Sequence, residues 1–311
     1  MLKKSINLKV LLVVKRFGLC GGMEEYAFRL SQELQRVGID VKVLCQKVVK
    51  SPFFNQIEYV ELGSAIEKPR WLNHLIFGLK VKHWIKSNIS NDTIIHSHER
   101  LNCHHVTTIH STLFNFPKVN KFPTFRRFVN EIIERRELNS NSVQKVVPVS
   151  HLIKNQISQK YPAVIPKLTS PIHPAVEPLD VNSIKFDLCS PAIGFMGKEW
   201  KRKGLIKVIE VWRLLRLKIP NARLVLAGFD LPSSVNLNAA ELKLVECLGF
   251  IEKKSDFFKR INILIHPAKM EAYGMVIPEA LSIGIPVICS TQTGAAQDPN
   301  LIPYVLDANE S

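Results

Sequence analysis

Short apolar segments alternate with longer amphipathic segments along the whole chain. In the first half, the strands predicted from these segments are Leu8–Val14, Val41–Cys45, Thr93–His96, Val106–His110 and Lys145–Val149. In the second half they are Ala192–Met196, Arg223–Ala227, Glu246–Gly249, Ile261–His266, Pro286–Cys289 and Tyr304–Leu306. Strands that alternate with helical segments are typical of βαβ units and parallel sheets. The pattern therefore predicts the α/β class.

Helical spacing is clearest after the first strand of each half. One apolar face is formed by Ala27, Leu30, Leu34 and Val37, and the other by Leu205, Val208, Ile209, Trp212 and Leu215. Residues three and four apart share a helix face, so each set predicts one helix packed on a sheet. Gly38 is the natural end of the first helix and Pro220 ends the second.

Prolines crowd the stretch Pro162–Pro178, which is too proline-rich for a helix. It predicts an inter-domain linker with one short strand. We expect an N-terminal domain over residues 1–174 and a C-terminal domain over residues 175–311. Open α/β sheets bind ligands beyond the carboxyl ends of their strands. Two such domains facing one another would place a ligand in the cleft between them.

The composition adds a strong positive charge to this fold. The 311 residues carry a formal net charge of +15, which indicates an anionic partner: nucleic acid, an acidic membrane surface or a phosphorylated substrate. The apolar segment Leu8–Val14 lies between lysines and lacks a small-residue cleavage site, so it predicts a strand and not a signal peptide. Six scattered cysteines without a Cys-x-x-Cys motif are typical of reduced thiols in the cytoplasm.

Two segments combine basic and aromatic residues. Phe116–Arg127 has four basic and three aromatic side chains without an acidic one, and Trp71–Lys86 has a similar mixture at helical spacing. Such segments suit an anionic membrane surface or a phosphorylated lipid. They suit single-stranded nucleic acid equally well. The second segment is also compatible with an ordinary amphipathic surface helix.

Two glycine-containing loops follow predicted strands and precede predicted helices. Gly21 and Gly22 allow close approach of a ligand to a helix N-terminus, although the sequence is not Gly-x-Gly-x-x-Gly. The loop Gly197–Gly204 contains several basic residues, among them Arg202 and Lys203. At the carboxyl end of a strand they are placed to neutralise a diphosphate leaving group.

Two carboxylates flank a third predicted helix start. Glu271 follows a strand, and Glu279 lies two turns further on. Between them, Gly274, Met275 and Val276 offer backbone N–H groups of the kind that bind phosphate at helix N-termini. The flanking carboxylates are suited to accept hydrogen bonds from sugar hydroxyls. This arrangement suits a nucleotide-sugar site.

Histidines are frequent in the first half of the chain. His96 and His98 lie at a strand end and are expected to point to opposite faces if the strand continues, and no acidic or cysteine cluster accompanies them. We therefore expect no metal site. The chain also has no Asp-x-Asp motif to hold a metal-bound nucleotide diphosphate. His110 ends a predicted strand and is placed to orient or polarise a reacting hydroxyl.

Taken together, these motifs resemble the retaining glycosyltransferases of the GT-B fold, in the large family called "glycosyl transferases group 1". The resemblance is strongest over Phe195–Gly294, in Gly-Lys-Glu-Trp-Lys-Arg-Lys-Gly, His-Pro-Ala and Glu-Ala-Tyr-Gly-Met-Val-Ile-Pro-Glu. Within the family, the chain is most similar to the lipopolysaccharide core hexosyltransferases. The resemblance implies two Rossmann-like domains, with acceptor bound by the first and nucleotide sugar by the second. Compared with the family, the second domain is expected to be shortened after Ser311.

The resemblance also implies roles for particular residues. Arg202 and Lys203 would hold the donor diphosphate, Glu271 the transferred sugar and Glu279 the ribose. The backbone at Gly274–Val276 would bind phosphate, Gly21 and Gly22 would approach the diphosphate or the acceptor, and His110 would lie near the reacting sugar.

The implied reaction moves a hexose with retention, without a metal cofactor. The implied donor is UDP-glucose or UDP-galactose, and the implied acceptor is lipopolysaccharide core or another cell-surface glycan or lipid. We expect a cytoplasmic protein, peripheral on the inner face of the membrane, with no nucleic-acid partner. Two alternatives stay open: a nucleotide-sugar epimerase of the same architecture, and an inactive protein that only binds nucleotide sugar.

Overall fold

The computed structural model describes residues 8–49, 57–64, 66–90, 92–114, 125–176, 190–301 and 304–306. The chain divides into two compact units. The N-terminal unit is Met1–Ile172 and the C-terminal unit is His173–Ser311. Each contains one parallel sheet with helices, which confirms the predicted α/β class.

The N-terminal unit is built on a six-stranded parallel sheet with the order β3-β2-β1-β4-β5-β6. The strands are β1 (Lys9–Phe17), β2 (Asp40–Val48), β3 (Glu58–Glu61), β4 (Thr93–Ser97), β5 (Val106–Ile109) and β6 (Lys145–Pro148). The helices are α1 (Gly22–Arg36), α2 (Arg70–Asn88), α3 (Phe125–Leu138) and α4 (His151–Lys160), followed by a 3-10 helix over Pro162–Lys167.

The central strand β1 explains why the N-terminal unit has two hydrophobic layers. Its side chains alternate between the faces of the sheet. Leu12 packs in one cluster with Phe28 of α1, and Leu11 packs in the other with Phe77 of α2. Since both faces are covered by helices, β1 is apolar at consecutive positions and not at every second one.

The C-terminal unit repeats this plan with the strand order β12-β11-β10-β7-β8-β9, again all parallel. The strands are β7 (Ala192–Met196), β8 (Arg223–Ala227), β9 (Val245–Cys247), β10 (Ile263–His266), β11 (Val287–Ser290) and β12 (Tyr304–Leu306). The helices are α5 (Trp200–Lys203), α6 (Leu205–Arg216), α7 (Ala239–Leu242), α8 (Lys254–Phe258) and α9 (Val276–Leu281), and a 3-10 helix covers Gly294–Gln297.

Helix α6 packs on the second sheet as its apolar spacing predicts. Trp212 is fully buried in one cluster with Leu224 and Leu226 of β8, and its indole N–H donates to the carbonyl of Ala222 at 2.9 Å. Burying an indole and satisfying its only polar atom locks the helix to the sheet.

The structure corrects several details. Val37 lies beyond the end of α1 and is 63% exposed, because Gly38 reverses the chain with a φ of 85°. Strand β3 was not predicted, since as an edge strand it has only Val60 partly buried. His110 follows strand β5 and is not part of it.

The proline-rich stretch also differs from expectation. Pro162–Lys167 forms a 3-10 helix, with Pro162 at its first position, where a missing N–H costs nothing. The expected short strand is a single bridge between Leu168 and Val146.

The two basic and aromatic segments have different outcomes. Helix α2 confirms the helical interpretation of Trp71–Lys86. Of the segment Phe116–Arg127, residues 116–124 lie outside the described residues, and Phe125, Arg126 and Arg127 open α3. In the described part of the chain, no helix has the length and apolar character needed to cross a membrane.

Candidate functional site

In the C-terminal unit, the basic loop after β7 is held in place by Gly204. This residue ends α5 with a φ of 88°, a left-handed conformation that favours glycine. A Cβ atom here would lie 2.4 Å from the carbonyl oxygen of Pro267 in the loop after β10. The close approach of these two loops brings the side chains of Arg202 and Lys203 to the carboxyl edge of the sheet.

Glu271 accepts from both of these basic side chains. Its Oε2 lies 3.0 Å from Nη1 of Arg202 and 3.2 Å from Nζ of Lys203. Arg202 also donates through Nη2 to Glu199 at 2.6 Å. The structure therefore brings together three of the predicted site residues, although they lie almost 70 positions apart in the sequence.

The charges of this cluster are well matched. Burial opposes ionisation of Glu271, but Lys203 and Arg202 outweigh it and hold the pKa of the carboxyl below its usual range. The neighbouring His266 is fully buried, and burial together with Lys203 lowers its pKa to about 3. The cluster thus contains the two cations Arg202 and Lys203, the two carboxylates Glu271 and Glu199 and, at neutral pH, one neutral imidazole.

The other lysines of the loop point elsewhere. Lys201 lies over the ring of Trp200, with Nζ 5.1 Å from the ring centre, and Lys198 lies over Phe250 at 5.8 Å. Only Arg202 and Lys203 of the basic run reach Glu271. Residue spacing alone does not separate these four residues, because side-chain direction in a short helix depends on its packing; it was the family resemblance that selected Arg202 and Lys203.

The segment that follows Glu271 is fixed by main-chain hydrogen bonds. The N–H of Glu271 donates to Gln292 at 2.9 Å, and its carbonyl accepts from Gly294 at 3.0 Å. Gly274 has a φ of 93°, and a Cβ there would meet Thr293 at 2.9 Å. Glycine is therefore required to turn the chain from Glu271 into helix α9.

Helix α9 places the remaining predicted residues of this unit. Gly274, Met275 and Val276 lead into its first turn, where N–H groups have no partner within a helix. Glu279 lies in the same turn, is 3% exposed and forms a salt bridge with Lys254 of α8. Lys254 is a residue that the sequence analysis missed, because nothing in the spacing connects α8 with α9.

In the N-terminal unit, His110 belongs to a cluster of histidines. Its Nε2 lies 2.9 Å from Nδ1 of His98, and Tyr26 of α1 packs edge-on against its ring at 4.8 Å between centroids. Burial lowers the pKa of His110 to about 3 and that of His98 well below its usual value. The pair is therefore neutral, with one imidazole donating to the other.

The expectation for His96 and His98 is wrong. Their rings stack with centroids 4.7 Å apart, because residues two apart along an extended strand point to the same side. Among the described residues, no group of three or more His, Cys, Asp or Glu side chains is arranged to hold a metal ion.

Gly21 and Gly22 lie at the start of α1, one turn before Tyr26. Through Tyr26, this helix start is near His110 at the carboxyl edge of the first sheet. Gly21 is extended, with a φ of 179°, so its backbone does not itself demand glycine. Its predicted role in approaching a ligand stays a prediction.

A cavity of about 440 Å³ opens beside His98 and His110 in the same unit. Its lining includes Lys15, Glu99 and Arg100, which the sequence analysis did not select. Each lies near the carboxyl end of a parallel strand. The rule that ligands bind beyond these ends, which favours His110, therefore applies to them as well.

Two family models match consecutive parts of the chain. Residues 20–178, just over half of the chain, match the family described as Glycosyltransferase Family 4. Residues 179–298 match the family described as Glycosyl transferases group 1.

Curated relatives include two enzymes that act at lipids or lipopolysaccharide. The gpi3 subunit of phosphatidylinositol N-acetylglucosaminyltransferase from Schizosaccharomyces pombe is 28% identical over 91% of this chain and 65% of its own length. The lipopolysaccharide glucosyltransferase WaaG of Escherichia coli is 30% identical over 37% of this chain and 30% of its own length. The chain thus spans less than two thirds of each relative.

Solved structures share the fold. Crystalline WaaG superposes with a TM-score of 0.76 at 17% identity, over 92% of this chain and 82% of its own. Anabaena Alr3699/HepE in complex with UDP and glucose superposes with a TM-score of 0.63 at 15% identity, over 96% of this chain and 86% of its own. Because the first family match covers more than half of the chain, the chain belongs to Glycosyltransferase Family 4, and together with the group 1 match over residues 179–298 these superpositions establish the GT-B fold.

Proposed function

We propose that the protein is a retaining hexosyltransferase that uses a nucleotide sugar, UDP-glucose or UDP-galactose. The acceptor we propose is lipopolysaccharide core or another cell-surface glycan or lipid. The observation that carries this proposal is the convergence of Arg202 and Lys203 on Glu271, at 3.0 and 3.2 Å, beside the first turn of α9. Two cations at a helix start are suited to a diphosphate.

Donor binding would rearrange the charges of this cluster. The diphosphate takes Arg202 and Lys203 as partners, which releases the carboxylate of Glu271 toward the hydroxyls of the transferred sugar. The N–H groups of Gly274–Val276 add hydrogen bonds to phosphate, and Glu279 is placed for the ribose. As the bond from the sugar C1 to the phosphate oxygen breaks, its electron pair stays on the diphosphate, whose charge the two cations stabilise.

The acceptor oxygen then bonds to C1 on the face that the diphosphate leaves, so the configuration is retained. In this proposal the acceptor proton passes to the departing phosphate, and no metal takes part. His110 is neutral at physiological pH, because burial keeps its pKa at about 3. A neutral imidazole both donates and accepts hydrogen bonds, so it is suited to orient a hydroxyl of the reacting sugar.

The relatives support the choice of substrates. One acts on lipopolysaccharide and another on phosphatidylinositol, and a solved neighbour binds UDP and glucose. The two relatives favour a lipid or lipopolysaccharide acceptor, and the solved neighbour favours a UDP-hexose donor.

Helix α3 supports a peripheral position on the cytoplasmic face of a membrane. Phe125 is 70% exposed and Phe128 is 52% exposed, and both lie on α3 beside Arg126 and Arg127. Exposed aromatic rings beside arginines suit the headgroup region of an anionic bilayer. Trp71 of α2 packs edge-on against Phe125 at 6.1 Å and extends the same surface.

Release of UDP from UDP-glucose or UDP-galactose tests the function. We expect release that depends on a heptosylated lipid acceptor and a product that retains the anomeric configuration. Conversion of the donor sugar without acceptor would show an epimerase instead. Binding of nucleotide sugar without turnover, by a folded sample and with every acceptor tried, would reduce the protein to a binding protein.

A further inference from the structure

The cavity of the N-terminal unit is lined by residues that lie far apart in the sequence. It is formed at the carboxyl edge of the first sheet, between the start of α2, the segments after β4 and β5, and α3. Its volume of about 440 Å³ is within the range of sites for one sugar-sized ligand. Its charged lining residues are Lys15, Arg70, Glu99, Arg100, Arg126 and Glu137.

Three of the four cations lack a full counter-charge. Arg100 is paired with Glu134 at 3.3 Å and donates to Ser111 at 2.7 Å. For Arg70 and Arg126, no carboxylate among the described residues lies within 4.0 Å. Burial lowers the pKa of Lys15; the nearby carboxyl of Glu99 opposes this shift, and the positive charge of Arg70 adds to it.

The two carboxyl groups of the cavity do not balance this charge. Burial raises the pKa of Glu99 to about 7 and that of Glu137 to about 8. Glu137 accepts a hydrogen bond from Thr107 at 2.5 Å and is 1% exposed. At neutral pH a large part of both groups is therefore protonated, and the cavity is cationic.

The deeper wall offers hydrogen bonds to a neutral group. His98 lines the cavity, is 4% exposed, and its Nε2 is buried without a hydrogen-bond partner among the described residues. A buried imidazole nitrogen without a partner is costly unless a ligand supplies one. The rings of Trp71 and Phe114 form apolar parts of the lining, which suit the carbon face of a polyol or sugar.

We propose that this cavity binds a phosphate-bearing polyol or sugar, with the phosphate at Arg70, Arg126 and Lys15 and a hydroxyl at His98. The proposal rests on the proposed function, because it gives the class of the acceptor: a phosphorylated one. The phosphate belongs to a lipid headgroup or to a soluble phosphate ester. The shared chemistry is a phosphate ester of a polyhydroxylated group.

Calorimetric titration of the full chain with glycerol 3-phosphate, and with glycerol as the uncharged probe, tests the cavity. We expect saturable binding of the phosphate ester and none of glycerol. Arg70→Gln and Arg126→Gln should each weaken binding about tenfold, the effect of one charge-assisted contact. Lys86→Gln on α2 and Arg135→Gln on α3 are matched controls. Both are exposed and lie on the same helices away from the cavity, and we expect them to bind as the unchanged protein does.

A second arm uses vesicles of phosphatidylcholine with and without phosphatidic acid. Each pair of variants removes the same charge, but Arg126 also lies on the surface of α3 that we propose to face the membrane. A larger loss for Arg126→Gln than for Arg135→Gln, together with release of the bound phosphatidic acid vesicles by soluble glycerol 3-phosphate, identifies a lipid headgroup in the cavity. A difference in the soluble titration alone identifies a soluble phosphate ester.

Equal losses within each pair in both arms, or equal binding of glycerol and glycerol 3-phosphate, would overturn the proposal. Lys203→Ala separates this cavity from the proposed donor site at Arg202, Lys203 and Glu271, and it should leave binding of glycerol 3-phosphate intact. If UDP binds and glycerol 3-phosphate does not, the inference fails while the proposed function stands. If glycerol 3-phosphate binds in the cavity while UDP does not bind, the donor site fails instead.

Discussion

Replacing Glu271 with glutamine separates the two tasks assigned to this residue. In the free protein its carboxylate forms salt bridges with both Arg202 and Lys203, the cations that we assign to the diphosphate. Glutamine keeps the shape and removes the negative charge that competes with the diphosphate. We therefore expect Glu271→Gln to bind UDP more tightly and to transfer sugar more slowly, an opposite change in two quantities that loss of folding cannot produce.

The size of the effect follows from the exposure of the partners. A charge-assisted hydrogen bond contributes about 1.5–3 kcal/mol when shielded from water. Arg202 is 37% exposed and Lys203 is 18% exposed, so solvent screening reduces the contribution of the first more strongly. A net gain of about 1–2 kcal/mol corresponds to UDP binding that is roughly 5- to 30-fold tighter. Loss of the sugar contacts should slow transfer on the order of 10²-fold.

Calorimetry with UDP and single-turnover kinetics with UDP-glucose measure the two quantities. Glu252→Gln is the control, because Glu252 is an exposed carboxylate of the same unit and its removal changes the net charge equally. If Glu271→Gln binds UDP as weakly as the control or more weakly, Glu271 does not compete with the diphosphate. The assignment of Arg202 and Lys203 would then be wrong.

Three further changes test the fold and the N-terminal unit. Gly204→Ala should cost about 2 kcal/mol or more in urea unfolding, while Gly284→Ala, also at positive φ but without an atom within 4 Å, should cost about 1 kcal/mol. Equal costs would refute the close approach to Pro267. Burial raises the pKa of Glu137 to about 8, so the native state retains a proton that the unfolded chain releases near 4.5, and stability falls as pH rises between these values. Glu137→Gln should remove this contribution to the pH dependence of the free energy of unfolding. The same pH dependence in the variant and in the unchanged protein would contradict this assignment. His110→Asn should slow transfer on the order of 10²-fold and leave the UDP Kd unchanged, whereas a matching loss of UDP affinity would argue for a structural role.

The fold was largely predictable because it depends on local patterns. Parallel sheets covered on both faces need apolar strands such as β1, and the helices between them need one apolar face, as Trp212 and its neighbours show. The strand that escaped prediction, β3, lies at a sheet edge and has few apolar residues. Pro162–Lys167 differs from the prediction because Pro162 is compatible with the first turn of a short 3-10 helix, and this helix also contains Pro166 in its interior.

The proximity of Glu271 to the basic loop was predictable, because carboxyl ends of parallel strands meet at one edge, whereas the choice of Arg202 and Lys203 within that loop followed from the family resemblance. Glu271 and Lys203 belong to two such loops, and the structure brings them together. The salt bridge between Glu279 and Lys254 was not predictable, because it depends on how two short helices pack. The cavity of the N-terminal unit was equally hidden. Lys15, Arg70 and Arg126 come from three distant segments, and the raised pKa of Glu137 depends on burial that no spacing shows.

Titration of the full chain with UDP-glucose tests the central claim most directly, which is that Arg202, Lys203 and Glu271 form a nucleotide-sugar site. We expect saturable one-site binding that Lys203→Ala weakens at least tenfold, because a charge-assisted contact to the diphosphate is lost. Lys207→Ala, which removes an exposed charge from α6, should bind as the unchanged protein does. Absence of UDP-glucose binding by the folded protein, or equal binding by Lys203→Ala and Lys207→Ala, would contradict the claim.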